Sequence, residues 1–176
     1  MQASGPARLA ALIRDVPDHP QPGIVFKDLT PLLEDAAGLK EAVDRMASGH
    51  AVGSVDKVVG IEARGFVLAA PVAYVLGAGV VLVRKPGKLP REVHERSYDL
   101  EYGSNTLAVH QDAFRPGDRV LVVDDVLATG GTAAAAIHLV ERCGAVAVGV
   151  EVLLELIFLE GRSALAGVEV RSVLTA

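Results

Sequence analysis

The sequence predicts an α/β fold in which a mostly parallel, twisted sheet is flanked by helices. The chain has 176 residues, of which 51% are hydrophobic, and this is enough for one large core but hardly for two. Aromatic residues make up only 4%, while Ala, Val, Leu and Gly dominate, as is typical of a parallel sheet covered by helices. We therefore expect residues 1–176 to form a single domain.

Four apolar, β-branched runs predict the buried strands, and each is bounded by Gly, Asp or Pro. They are residues 57–61, 80–83, 119–123 and 145–154. Residues 65–76 and 131–143 lie between strands and are long enough for crossover helices. Because connections of this kind are right-handed and join parallel strands, the sheet should be mostly parallel.

Three regions depart from this alternation. Residues 1–14 have the pattern of an amphipathic helix. Residues 16–31 are rich in Pro and Gly and predict an ordered loop with a short extended piece at 24–27. Residues 85–103 are polar and precede an alternating segment at 105–111. A loop of that length inside a compact domain is usually functional or disordered.

Composition limits the possible partners. The formal net charge of -5 and the pI near 5.5 argue against capture of nucleic acid or an acidic membrane, because both need a basic face. A small ligand is the better expectation. Cys143 is the only cysteine, which excludes an intrachain disulfide and a thiolate metal cluster and fits the reducing cytoplasm. Residues 1–14 also lack the basic and apolar regions of a secretory signal.

Two further features bear on a membrane span and on a metal site. Residues 65–83 are 19 residues without a charge, a length that could cross a membrane. Pro71, Gly77 and Gly79 divide this stretch, so we expect a buried helix and a short strand instead. The histidines have no metal-ligand spacing with one another or with Cys143, and we expect no protein-held transition metal.

The strongest functional signal is the segment VLVVDDVLATGGT at residues 120–132, a strand that ends in two carboxylates before a Gly and Thr loop opens a helix. Unpaired N–H groups at a helix N-terminus favour a phosphate, and Gly130 and Gly131 permit close backbone approach. Asp124 and Asp125 lie where ligands bind in open α/β sheets and can accept hydrogen bonds from ribose hydroxyls. The segment is not a Walker loop and suits a monophosphate beside a polyol. The alternative is an ordinary turn with an acidic cap.

This segment resembles the phosphoribosyl pyrophosphate signature of type I phosphoribosyltransferases. Four more segments, in family order, resemble the adenine-specific branch: PQPGIVFKD (20–28), GIEARGF (60–66), RKPGKLP (84–90) and SYDLEYG (97–103). The resemblance implies the type I fold, with a small N-terminal hood and base-binding segment at about residues 1–33 and a flexible catalytic loop or hairpin at about 85–103. It also implies purine salvage, in which adenine and phosphoribosyl pyrophosphate give AMP and diphosphate.

The resemblance assigns the anionic parts of the substrate to particular residues. Asp124 and Asp125 would hold the ribose 2′ and 3′ hydroxyls, and the 5′-phosphate would be bound by Ala128, Thr129, Gly130, Gly131 and Thr132. Pyrophosphate would be bound by Glu62, Ala63 and Arg64, where we expect a non-proline cis peptide, and by Arg84, Lys85 and Lys88. From the local sequence alone, Arg64 could also be a surface residue at a helix start, and the basic cluster could be a solvated loop.

For the base, the resemblance implies that backbone groups of Val25 and Lys27 face the edge of adenine, while Phe26 and Val126 form apolar walls. A backbone carbonyl can accept a hydrogen bond from the 6-amino group but would face the 6-oxo group of hypoxanthine as an unpaired acceptor. Residues 24–26 could also be only a core-packing strand.

The implied reaction is displacement at ribose C1 through a transition state with cationic sugar character. Glu101 is the candidate acid or base for the adenine proton, and its alternative is a surface glutamate on a hairpin. The sequence departs from a common pattern at His19, where many relatives carry an aromatic residue near the base.

The resemblance further implies Mg²⁺ carried by the diphosphate, and a homodimer in which Arg84 reaches the pyrophosphate of the partner subunit. One rival is a phosphoribosyltransferase for hypoxanthine, guanine or xanthine. A rival of another class is a non-catalytic regulator that binds phosphoribosyl pyrophosphate. Such a regulator usually needs a nucleic-acid-binding addition or a basic face, and neither is visible in this sequence.

Overall fold

The fold was obtained as a computed structural model, which describes residues 5–99 and 104–176. In chain order the elements are α1 (Pro6–Ala11), β1 (Arg14–Pro17), β2 (Val25–Asp28), α2 (Thr30–Glu34), α3 (Ala36–Ala47), β3 (Lys57–Ile61), α4 (Gly65–Leu76), β4 (Gly79–Val83), β5 (Val93–Asp99), β6 (Ser104–His110), β7 (Arg119–Leu127), α5 (Gly131–Arg142), β8 (Val146–Glu155) and β9 (Val170–Thr175). Two 3₁₀ turns, Ile157–Leu159 and Gly161–Leu165, lie between β8 and β9.

The central sheet has the strand order β4-β3-β7-β8-β9, and every neighbouring pair is parallel. One face packs against α3 and α4 in a core that includes Met46 and Leu68. The other face packs against α5 and the antiparallel pair β5–β6, in a core that includes Leu107 and Leu139. The predicted α/β class with a parallel sheet and flanking helices is confirmed.

Several element bounds differ from the sequence-based predictions. The strand at 57–61 and the helix at 65–76 have the predicted bounds. β7 continues to Leu127 instead of ending at residue 123, because its last residues stay paired with β8. Within the predicted loop or hairpin at 85–103, residues 93–99 form β5, because they pair with β6 along their whole length.

Other elements were missed or misplaced. Only residues 6–11 of the predicted helix at 1–14 are described as helical, and Arg14–Pro17 forms a strand because it pairs antiparallel with β2. α3 was not predicted, although the Asp35 side chain caps it by accepting a hydrogen bond from the Gly38 N–H at 2.6 Å. β9 was also not predicted, and it closes the far edge of the sheet beside β8.

Elements α1, β1 and β2 lie at the carboxyl ends of β8 and β9. Ligands bind at this edge of the sheet in open α/β folds. A cleft of about 310 Å³ there is lined by Asp15 and Lys27 from the hood and by Leu154, Leu174 and Thr175 from β8 and β9. The uncharged stretch at 65–83 is divided into α4 and β4. Among the helices of residues 5–99 and 104–176, none is long and apolar enough to cross a membrane.

Candidate active site

The loop between β7 and α5 is held in a conformation that only glycine allows. Gly130 has a φ of 84°, and a Cβ atom there would lie 2.2 Å from the carbonyl oxygen of Gly161. A Cβ atom at Gly161 would in turn lie 2.2 Å from the carbonyl oxygen of Ala128. The backbone of the loop therefore packs directly against the backbone of the second 3₁₀ turn. Gly161 has no local sequence signal for this role, because only the folded chain brings it behind the loop.

The start of α5 offers hydrogen-bond donors to an anion. Within the described residues no side chain caps this helix, so N–H groups of its first turn are free to bind a ligand. The Thr132 hydroxyl donates to the Tyr98 hydroxyl at 3.2 Å, which links this loop to β5. Tyr98 is a second neighbour of the loop that is distant from it in the sequence.

Asp124 and Asp125 lie next to this loop near the carboxyl end of β7. The Asp125 N–H donates to Asp124 Oδ1 at 2.9 Å. Burial raises the pKa of Asp124 well above its usual range, and the adjacent negative charge of Asp125 raises it further. The first residue of α4 approaches so closely that a Cβ atom at Gly65 would lie 2.8 Å from Asp124 Oδ1.

Arg64 connects three predicted parts of the site. Its Nε atom lies 2.5 Å from Asp125 Oδ2, and its guanidinium carbon lies 5.5 Å from the centre of the Phe26 ring. The His19 ring meets the same Phe26 ring edge to face at a centroid distance of 5.1 Å. The structure thus brings a predicted pyrophosphate residue, a ribose residue and a wall of the base site together. His19 thus places an aromatic ring against Phe26, one of the predicted walls of the base site.

Glu62 and Arg84 form an ion pair beside this cluster. Arg84 donates from Nε and Nη2 to the Glu62 carboxylate at 3.1 and 3.3 Å, and the Lys85 N–H donates to it at 3.0 Å. These contacts lower the pKa of Glu62, with the Lys85 N–H as the largest cause. The Glu62–Ala63 peptide bond is cis, which confirms that prediction. The Lys85 and Lys88 side chains are exposed.

The predicted base residues lie on β2 and β7. Lys27 extends its side chain to Asp15 across the β1–β2 pair, with Nζ at 2.7 Å from Oδ1. β1 and β2 form a two-stranded sheet, so among the residues that the structure describes the outer edge of β2 has no strand partner. Phe26 and Val126 are half-buried, and Val25 is exposed. Glu101 lies outside the described residues.

Comparison with known proteins identifies this arrangement. Residues 32–164 match the phosphoribosyl transferase domain family, and the chain belongs to that family. Within it, the chain belongs with the adenine phosphoribosyltransferases. It is 63% identical to the adenine phosphoribosyltransferase of Acidothermus cellulolyticus over 166 residues, which cover 94% of each chain. The corresponding protein of Nocardioides sp. is 58% identical over 180 residues, covering 99% of this chain and 96% of the relative.

Solved structures give the same result. The adenine phosphoribosyltransferase of Thermoanaerobacter pseudethanolicus superposes with a TM-score of 0.92 at 44% identity, covering 97% of this chain and 99% of that chain. The enzyme of Giardia lamblia, complexed with 9-deazaadenine, also has a TM-score of 0.92, at 40% identity and with 99% of both chains covered.

Proposed function

We infer that this protein transfers the phosphoribosyl group of phosphoribosyl pyrophosphate to adenine and forms AMP and diphosphate, as a step of purine salvage. The observation that carries this inference is the position of Arg64, which contacts both Asp125 and Phe26. One side chain therefore joins the sites proposed for pyrophosphate, ribose and base. The Saccharomyces cerevisiae relative, at 35% identity and a TM-score of 0.90, was solved with adenine and an imino-altritol bisphosphate.

The β7–α5 loop is the proposed site for the 5′-phosphate. The N–H groups of the first turn of α5 and the hydroxyls of Thr129 and Thr132 would donate to its oxygens, and the helix dipole would favour its charge. Asp124 and Asp125 would accept hydrogen bonds from the ribose hydroxyls, which fixes the sugar relative to the phosphate. Their negative charge would also stabilise a cationic sugar at C1.

Pyrophosphate leaves from the side of Arg64 and the 84–88 segment. The bond between C1 and the pyrophosphate oxygen breaks with its electron pair on the leaving group, while adenine N9 forms the new bond to C1. Arg64, Lys85 and Lys88 would offset the charge that develops on the leaving group. Glu101 is proposed to take up the proton that adenine loses. Residues 85–103 are proposed to cover the site and to exclude water from the reactive sugar.

The donor set of the site fits a magnesium ion brought by the diphosphate. Magnesium prefers hard oxygen ligands, and the carboxylates of Asp124 and Asp125 offer them beside the ribose. Among residues 5–99 and 104–176, no group of three His, Cys, Asp or Glu side chains is placed to hold a metal. The remaining ligands would therefore be substrate oxygens and water. When bound, the ion would neutralise charge on the departing diphosphate.

A homodimer is proposed on the surface formed by α4 and β4. Tyr74 and Val67 on α4 are 88% and 47% exposed, and Val80 and Leu82 on the edge strand β4 are 42% and 43% exposed. Apolar surface of this kind beside an open sheet edge is typical of an interface. Arg84 directly follows β4, so it is well placed to reach the site of a two-fold partner.

The single cysteine favours a cytoplasmic location. The test of the function is turnover of labelled adenine with phosphoribosyl pyrophosphate and Mg²⁺ at neutral pH. We expect AMP and diphosphate in equal amounts. Binding of phosphoribosyl pyrophosphate without any AMP would instead indicate the non-catalytic regulator. Turnover of another purine, but not of adenine, would move the assignment to a different base.

A further inference from the structure

Glu62 places a negative charge where the proposed function needs to bind pyrophosphate, which is itself strongly negative. The Glu62 side chain is only 15% exposed, and the residue directly follows β3, next to the cis peptide and Arg64. Two negative charges close together repel each other, so a carboxylate is a poor ligand for the leaving group. Its presence calls for another role.

The contacts of Glu62 supply that role. The carboxylate holds one edge of the Arg84 guanidinium through Nε and Nη2, and it also accepts the Lys85 N–H. Arg84 Nη1 donates to the Lys88 carbonyl at 3.1 Å, and its guanidinium carbon lies 5.9 Å from the centre of the Phe66 ring. Glu62 therefore fixes both the side chain of Arg84 and the backbone N–H of Lys85.

We propose that Glu62 is a positioning residue, which presets Arg84 and the backbone at Lys85 for pyrophosphate and does not bind pyrophosphate itself. This proposal rests on the proposed function. A guanidinium has five N–H donors, so the two used by Glu62 leave others for phosphate oxygens. Because Arg84 is already oriented, less side-chain entropy is lost when pyrophosphate binds. The role is the same whether Arg84 serves its own site or the partner's.

The chain contains a matched control at the other end of the same strand. Asp56 directly precedes β3 and holds Arg119 in the same way, accepting its N–H at 2.8 Å and its Nε and Nη2 at 2.9 Å each. This pair lies at the amino ends of the strands, away from the proposed site. Asp56→Asn therefore removes an equivalent carboxylate clamp without touching the substrate.

The experiment compares Glu62→Gln, Glu62→Asp and Asp56→Asn for steady-state kinetics and for direct binding of inorganic pyrophosphate by calorimetry. For both Glu62 variants we expect pyrophosphate affinity to fall about tenfold, equivalent to about 1.4 kcal/mol, and KM for phosphoribosyl pyrophosphate to rise in parallel. KM for adenine should stay within about twofold of wild type, since the clamp does not contact the base. Asp56→Asn should leave all three quantities unchanged.

A double-mutant cycle of Glu62→Gln and Arg84→Ala measures whether the two residues affect pyrophosphate affinity through each other. A merely structural role of Glu62 would not produce such coupling. If Glu62 acts through Arg84, adding Glu62→Gln to Arg84→Ala should cost much less pyrophosphate affinity than it does in wild type. Full additivity would overturn the proposal. Tighter pyrophosphate binding by Glu62→Gln would also overturn it, because repulsion would then be the main effect of the carboxylate.

The direct binding measurement also keeps this proposal separate from the proposed function. A wild-type protein that fails to turn over adenine would contradict the proposed function. Calorimetry on the same wild-type and variant proteins would still decide whether Glu62 sets the affinity for pyrophosphate.

Discussion

The two ends of β3 carry the same kind of ion pair in two different settings. At the amino end, Arg119 Nη2 donates both to Asp56 at 2.9 Å and to the Gly53 carbonyl at 2.8 Å. At the carboxyl end, the Arg84 contacts to Glu62 are longer, at 3.1 and 3.3 Å, and the pair adjoins the residues proposed to bind substrate. In a parallel sheet the carboxyl ends of the strands form the ligand crevice. Strand direction, more than the chemistry of the pair, therefore indicates which carboxylate serves function.

The largest effect should come from the carboxyl end of β7. Replacing Asp124 and Asp125 together by Asn should lower kcat/KM by about a thousandfold or more, because both the ribose contacts and the charge opposite C1 are lost. The fold should remain, because a neutral Asn removes the buried, repelling charges that raise the pKa of Asp124. Kinetics and thermal melting would check this. Full activity would mean that the pair is structural.

The next test asks whether Arg84, unlike Arg119, acts outside its own chain. Arg84→Ala and Glu101→Leu should each be inactive alone. After subunit exchange about half of the dimers are mixed, and each mixed dimer regains one intact site of two, so about a quarter of native activity should return.

If Arg84 acts within its own chain, every site in the mixture stays defective and no activity returns. A monomer in sedimentation would contradict the shared site directly.

Gly161→Ala tests a residue outside the sequence motif. Its new Cβ atom would lie 2.2 Å from the carbonyl oxygen of Ala128, so the phosphate loop must shift. We expect KM for phosphoribosyl pyrophosphate to rise about tenfold or more, since overpacked sites displace backbone. Gly149→Ala is the control, because its Cβ would meet Leu121 at an ordinary 3.4 Å. Equal KM values for the two variants would mean that Gly161 does not support the phosphate loop.

The smallest effect is expected at the amino end of β3. Hydrogen bonds from Arg119 lower the pKa of Asp56 to about 2, from an ordinary value of 3.8. This pair therefore stabilises the fold above about pH 4, and the stabilisation is lost as pH falls towards 2.

Asp56→Asn should lower Tm by only a few degrees at pH 7, because the pair is exposed to solvent. Melts between pH 7 and pH 2 should show this difference shrinking below pH 4. A Tm difference that is the same at pH 2.5 would contradict the assigned cause.

The sequence predicted those parts of the fold and site that depend on local pattern. The strand at 57–61 and the helix at 65–76 were predicted because charged residues and Gly77 bound their apolar runs. β5 was missed because its polar sequence becomes a strand only through pairing with β6. Gly161 and Tyr98 were missed for the same kind of reason, since each meets the phosphate loop only after the chain has folded.

The ratio of kcat/KM for adenine to that for hypoxanthine tests the central claim most directly. Backbone acceptors on the free edge of β2 would pair with the 6-amino group and would be left unpaired by a 6-oxo group, at a cost of about 1 to 3 kcal/mol. We therefore predict that adenine is preferred by about tenfold to a hundredfold. Comparable values for the two bases would contradict the assignment to adenine.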